Sequence, residues 1–305
     1  MTAQPSTPRA TLTLAHSADA DDVFMWWPIT GMIDPRQPER LLSPPELDTA
    51  PLAYRAIPED IQVLNRRAIE RGDLDITAVS MHCAALVKDR YVLTRCGWSL
   101  GDDWGPKLVV ARDEFSRPEQ LLARRVAVPG LQTTAFMVLS LMLGPGRFQP
   151  VPMRFDEIVP AVREGRVDAG VLIHERQLDF QRAGLRALAD LGVWWKHDTG
   201  LPLPLGANVI RRDLDARLGP GTLANVAATL RRSIEHALAN RQRALAYART
   251  FSPDLTDDEL DRYVRIYVSP LTVDCGELGL RAVQTLLTRA HRAGLGPDPG
   301  TVSAV

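Results

Sequence analysis

His174 closes an apolar run, Val171-Leu-Ile-His174, where an imidazole reaches whatever space lies beyond the strand. With a reference pKa near 6.5 it can accept a proton at neutral pH, which suits general-base work. The competing reading is a hydrogen-bonded structural histidine. Leu178 occupies the i+4 position, so the paired-histidine zinc motif is absent and no metal is expected. Gly130-Leu-Gln-Thr133-Thr134-Ala135 reads as a turn from a strand into a helix. Free N–H groups at that helix start, with two hydroxyls, can hold a carboxylate or another oxyanion; threonine N-capping is the alternative, and one residue can do both.

Asp19-Ala-Asp21-Asp22 opens an earlier helix. Carboxylates there are favoured by the helix dipole and cap its N–H groups, or they bond the hydroxyls of a polar ligand. An anion would be repelled, so a ligand's own carboxylate should point toward Thr134. Ser80 either donates to a ligand or ends its strand, and no GxSxG elbow makes it a nucleophile. Trp26-Trp27 and Trp194-Trp195 are the kind of residues more often found in a core. No GxGxxG follows a strand, so a dinucleotide is not indicated and no cofactor is expected.

The elements that would position these groups alternate between strand and helix. Strands are predicted at Leu12–His16, Asp75–Ser80, Tyr91–Cys96, Leu108–Arg112, Arg125–Pro129, Val167–His174, Leu185–Leu191 and Leu203–Arg211. Glu59–Arg71, Ala135–Leu143 and Phe155–Glu164 read as helices, while Met32–Pro58, with six prolines after Asp34, reads as a long connection. Beyond Arg211 only helices follow, at about Leu223–Ala239, Arg241–Phe251, Asp257–Tyr267 and Gly276–Ala293.

An internal echo organises this series. Ala68-Ile-Glu-Arg-Gly72-Asp-Leu-Asp75 lies over Ala161-Val-Arg-Glu-Gly165-Arg-Val-Asp168, 93 residues later, and Leu12–Gly31 lies more weakly over Arg125–Gly144. Two similar β–α–β units follow, one per lobe. In open α/β sheets ligands bind beyond the carboxyl ends of the strands, so two facing sheets share one cleft. Its expected lining is His16–Asp22, including Ser17 and Asp22, with Ser80, Gly130–Ala135 and His174. The fold class is α/β and two-lobed, each lobe a doubly wound sheet. The first lobe is discontinuous, over 11–109 and 206–305 with the C-terminal helices; the second covers 110–205, and 1–10 is a disordered tail. Strands near Lys107–Arg112 and Leu203–Arg211 are expected to join the lobes.

Composition narrows the function. The 305 residues are 45% hydrophobic and 24% charged, with 36 basic against 37 acidic side chains, which removes the basic excess of a nucleic-acid binder and the polybasic cluster of a membrane anchor. Three cysteines, Cys83, Cys96 and Cys275, are odd in number and lack ligand spacing, which points to a reducing compartment. No secretory signal is visible near Met1, and Thr133–Gly144 is short of the ~20 apolar residues of a membrane span. A cytoplasmic protein with a small-molecule partner is expected, without nucleic acid or membrane; the oligomeric state is left open.

Several segments carry a resemblance. Val126-Ala-Val-Pro-Gly130 with Thr133-Thr134-Ala135, Gly165-x-Val-Asp-Ala-Gly-Val-Leu-Ile-His174-Glu175, and Asp190-Leu-Gly-Val-Trp-Trp with Thr199-Gly-Leu-Pro-Leu-Pro-Leu-Gly206 resemble the 1,4-dihydroxy-6-naphthoate synthases of the futalosine route to menaquinone. Tyr267-Val268 and Gly276-Glu277-x-Gly279 also fit, so the likeness runs from about residue 11 to 295. The resemblance implies a periplasmic-binding-protein-like (type II) fold with a ligand cleft between its lobes. It implies a lyase acting on cyclic dehypoxanthine futalosine, a polar, carboxylate-bearing cyclic compound, without a cofactor. His174 falls on the family's proton acceptor, Thr134 and Ala135 on the pair that holds the ligand's polar groups, and Ser80 on the strand-end serine. On this reading a neutral His174 removes a proton beside the ketone, and the enolate expels the sugar-derived fragment. Thr133, Thr134 and the N–H of Ala135 then stabilise the oxyanion.

The chain departs from the pattern at three places. Ser-Pro-Cys-Pro-Asn-Asp-Thr-Phe is here Ser17-Ala-Asp-Ala-Asp21-Asp22-Val-Phe24, Thr-Lys-Leu-Ser is Thr77-Ala78-Val79-Ser80, and His-Thr-Thr-Ala is Gln132-Thr-Thr-Ala135. The cleft loses a cation and gains acid, so a substrate carboxylate is held less tightly there or sits elsewhere, as in a variant branch acting on a related intermediate. The other readings are a solute-binding receptor of an ABC transporter, which would share the fold, and chorismate dehydratase of the same pathway.

Overall fold

A computed structural model of the chain describes residues 10–111 and 113–305. Of the tail expected over 1–10, residues 1–9 lie outside the described residues, as does Arg112; Ala10 already opens the first strand. Seven strands come first: β1 (Ala10–Ser17), β2 (Met32–Asp34), β3 (Gln37–Ser43), β4 (Leu52–Glu59), β5 (Ile76–Ser80), β6 (Tyr91–Leu93) and β7 (Ser99–Gly101). Five follow, β8 (Lys107–Val110), β9 (Arg125–Val128), β10 (Gln149–Pro152), β11 (Ala169–Leu172) and β12 (Arg186–Asp190), before β13 (Leu203–Arg211).

They form two main sheets of the same design. The first runs β4-β1-β5-β13-β6, with β7 also on β13; the second runs β10-β9-β11-β8-β12. In each, the first three strands are parallel and the next is antiparallel. The echoed segments therefore end in equivalent central strands, β5 and β11. Strands β8 and β13 each lie wholly in one sheet, so the passages between sheets are the short segments 102–106 and 200–202.

Local sequence explains the helices that carry the site. Helix α1 (Ala20–Thr30) is buried on every face, including Trp26 and Trp27, because helices over Thr222–Ala239, Arg241–Ala248 and Asp257–Tyr267 pack around it. Helix α2 (Ile61–Glu70) starts at Asp60, whose carboxylate accepts from Gln62 N and Val63 N, and buries Leu64, Asn65 and Ala68. Helix α3 (Met81–Val87) follows β5 without a break. Helix α4 (Thr134–Leu143) is capped by Thr133, and α5 (Phe155–Arg163) packs on β11. Trp26, Trp27 and Trp195 are fully buried, in keeping with the core reading, while Trp194 is half-buried.

The stretch 32–58 differs from the long connection expected. It holds the β2–β3 ribbon and β4, which pairs along the whole of β1. Proline removes a ladder donor but is tolerated at sheet edges, and β4 is the edge of the first sheet. Helix α3 and a helix over Leu191–Thr199 were likewise not anticipated. All three cysteines are buried free thiols, and among the described residues no helix is long and apolar enough to cross a membrane.

Candidate active site

The two sheets deliver their strand ends to one cleft. Ser17 ends β1, Ser80 ends β5, the Gly130 turn follows β9, and Ile173-His174 follows β11. The cleft encloses about 680 Å³, part of it open to solvent, and is lined by Ser17, Asp22, Ser80, Thr133, Thr134, Ala135 and His174, whereas Ala18, Ala20, Gly130, Leu131 and Gln132 of the expected lining stay out of it. Asp19, Asp21, Gln177, Asn208 and Tyr267 line it as well. His16 does not. Its Nδ1 is bonded to Ser17 O at 2.7 Å, and burial pushes its pKa down to about 4, so it is a neutral structural histidine.

His174 sits in the left-handed region at φ +56° with its side chain 13% exposed. Its Nδ1 meets Asp19 Oδ2, which leaves Nε2 as the ring nitrogen for a ligand, and the Phe155 ring stands edge-on at 5.0 Å. Burial disfavours charge on this imidazole, yet the Asp19 carboxylate outweighs it and raises the pKa to about 9. The expected neutral base is therefore a cation at pH 7 in this arrangement. Asp19 is buried too, but the imidazolium and its bonds from His174 and Ser17 hold it below the usual carboxylate range. Burial, then the Asp19 charge, raises Asp22 to about 7, and the same causes push Asp21 well above its usual value.

Each acid has its own partner. Asp22 accepts from Ser17 N at 2.8 Å and Trp26 Nε1 at 3.2 Å, and Asp21 accepts from Tyr263 Oη at 3.1 Å. Tyr263 stacks on Tyr267 at 4.5 Å. Gln177, with its amide turned to satisfy both ends, accepts from Tyr267 Oη and from His174 N, and donates to Gly105 O. Asn208 donates to Gly97 O at 3.0 Å, while its buried Oδ1 has no partner.

At the facing helix the hydroxyls are already engaged. Thr133 Oγ1 donates to Gly130 O at 2.7 Å and accepts from Phe136 N, so the capping reading holds for it. Thr134 Oγ1 donates to Leu205 O at 2.6 Å and accepts from His82 N. What α4 offers a ligand is its first-turn N–H groups, at Thr134 and Ala135, which have no intrahelical acceptor. Ser80 differs: Asn65 Nδ2 donates to its Oγ at 2.9 Å, which leaves the Ser80 hydroxyl proton to be donated. Gly130, at φ +142°, lies so close to Gln62 that an added Cβ would fall 2.2 Å from its side-chain oxygen.

Among the described residues lining the cleft there is no lysine or arginine. The carboxylates gather at the start of α1 and bare amides at the start of α4. His174 lies against the acidic side and carries the site's positive charge.

Comparison with known proteins agrees with this geometry. A family model described as menaquinone biosynthesis matches residues 12–292. A 1,4-dihydroxy-6-naphthoate synthase of Thermus thermophilus is 43% identical over 251 residues, covering 82% of this chain and 88% of that protein. One from Streptomyces coelicolor is 36% identical over 95% of this chain and 96% of its own length. Among solved structures, a protein of Archaeoglobus fulgidus superposes with a TM-score of 0.79 at 36% identity, over 93% of this chain and 98% of its own. The alkanesulfonate-binding protein of Xanthomonas axonopodis, bound to MOPS, gives 0.65 at 15% identity over 97% and 98%, a likeness of fold alone: the periplasmic-binding-protein fold.

Proposed function

This chain belongs to the menaquinone-biosynthesis family, whose synthases it matches along nearly its whole length, and from that premise we propose that it is a lyase converting cyclic dehypoxanthine futalosine to 1,4-dihydroxy-6-naphthoate. The observation that carries the reading is one cleft in which a carboxylate-backed imidazole and the bare N-terminus of α4 are both presented to a ligand.

The acidic side, with Asp19, Asp21 and Asp22, repels an anion, so the substrate carboxylate lies at the N–H groups of Thr134 and Ala135. Ser80 donates its hydroxyl to the same molecule. His174, once it has shed its own proton from Nε2, takes the proton beside the substrate ketone, and the electron pair forms an enolate. Collapse of the enolate expels the sugar-derived fragment, and aromatisation of the ring drives the step forward. Hinge closure about 102–106 and 200–202 shuts water out during this sequence. Ser17 and Asp22 form the floor, where an acid near neutrality bonds ligand hydroxyls as donor or acceptor.

The test is direct. Purified protein incubated with cyclic dehypoxanthine futalosine is expected to release dihydroxynaphthoate, followed by mass. No product, with tight binding of an unrelated small anion, rejects the proposal in favour of a solute receptor.

A further inference from the structure

Asp19 stands at the N-cap of α1, yet its side chain makes no capping bond. The carboxylate turns away from its own helix: Oδ2 meets His174 Nδ1 and Oδ1 accepts from Ser17 Oγ. Its two acidic neighbours point elsewhere, Asp22 to Ser17 N and Trp26 and Asp21 to Tyr263. Asp19 is only 10% exposed, and it follows β1 of the first sheet while His174 follows β11 of the second. A buried carboxylate that forgoes its local amides to reach an imidazole on the facing lobe serves that imidazole.

We propose that Asp19 is the positioning residue for His174, fixing its ring with Nδ1–H toward Asp19 and Nε2 toward the substrate, and strengthening it as a base. This rests on the general-base reading of His174 proposed above. A carboxylate against Nδ1–H selects the tautomer whose Nε2 lone pair is free, and stabilises the imidazolium formed when Nε2 takes the proton. The backbone supports the same aim. At φ +56° His174 occupies a conformation unfavourable for a non-glycine residue, tolerated where surroundings fix it. Gln177 holds His174 N and Phe155 flanks the ring.

The ionisable groups facing the pair come from every side. Asp21 and Asp22 lie on α1, and burial keeps both raised toward the neutral form. His16, on β1, is held neutral by burial, and Glu175, next along the chain, is raised by burial. Tyr263 and Tyr267, from the C-terminal helices, are buried and stay protonated. Asp19 therefore dominates the field on His174, whose pKa it lifts to about 9 against burial.

The full chain with isotope-labelled histidine is titrated by NMR, His174 being assigned by its loss in His174→Gln. The wild-type midpoint is expected near 9, and Asp19→Asn should lower it by two units or more, since burial then acts unopposed. A wild-type midpoint at or below the ordinary ~6.5 overturns the proposal without any variant. In turnover, Asp19→Asn should cut the high-pH plateau of kcat by about 10²-fold, leave KM within a few-fold, and move the rising limb of the rate profile, where His174 loses its proton, toward acid. A loss equal at every pH, with the limb unmoved, marks Asp19 as structural only and overturns the proposal. Wild-type protein that makes no product while the titration shift is intact overturns the synthase reading and leaves the pairing standing.

Discussion

An imidazole in the left-handed region, paired with a buried carboxylate, is an expensive local arrangement. Its retention makes sense if Nε2 does chemistry. His174→Ala is expected to lower the rate of dihydroxynaphthoate formation by about 10²–10⁴ with little change in KM. A folded variant with full turnover would remove His174 from the mechanism. The histidine itself was visible in sequence because it ends an apolar run. Its partner was not, since residues 19 and 174 meet only after two sheets face each other. The available signal was the aspartate standing where the family pattern has cysteine, read as a helix cap. Thr133 and Thr134 show the converse: their hydroxyls suggested ligand donors, but helix capping and a bond to Leu205 O occupy them.

The turn that opens α4 belongs to the scale of the element. Gly130 allows the chain to enter the helix at φ +142° while the Gln62 side chain passes where a Cβ would sit. Gln62 also bonds Gln132, so the turn is held from the other lobe. Gly130→Ala is expected to lose about 1–3 kcal/mol of stability in urea unfolding, because a flexible Gln62 can swing aside but the backbone angle cannot be kept cheaply. It should also weaken ligand binding at the α4 amides; an unchanged midpoint and affinity would show that the turn adapts. Helices with one buried face, such as α2 and α5, were readable from their periodicity. Helix α3 was not: six of its seven residues are buried and it follows a fully buried strand, so no period separates the two. Prolines hid β3 and β4, which tolerate them in a two-stranded ribbon and at a sheet edge.

Across the whole molecule, the duplicated sheet order explains why so much of the cleft was legible: equal units place equal strand ends toward each other, and an echo in sequence reports that symmetry before any contact is known. The same architecture puts polar and charged contacts between the lobes. Asp19–His174, Gln177–Tyr267 and Arg182–Glu259 all join residues of the second-lobe segment to β1–α1 or the C-terminal helices. Stability should therefore follow the protonation of the cleft. His174, raised from 6.5 to about 9, binds a proton in the folded chain that the unfolded chain has shed, so its contribution is complete below 6.5 and disappears as pH rises through 9. Asp22, raised from 3.8 to about 7, acts in the same direction over a lower window, its contribution fading between those values. His16, lowered to about 4, works the other way, taking stability away as pH falls from 6.5. Between pH 7 and 9 the His174 proton is lost, and Asp21, held well above its usual value by burial, acts in the same direction. Thermal unfolding should show a Tm that falls across that interval, reflecting a loss of roughly 2 kcal/mol of stability. In Asp19→Asn the imidazole is no longer charged near neutrality, so the fall over the same interval should be much shallower. A wild-type Tm that stays level or rises from pH 7 to 9, or a variant that falls as steeply as wild type, would mean that no proton is held between the lobes.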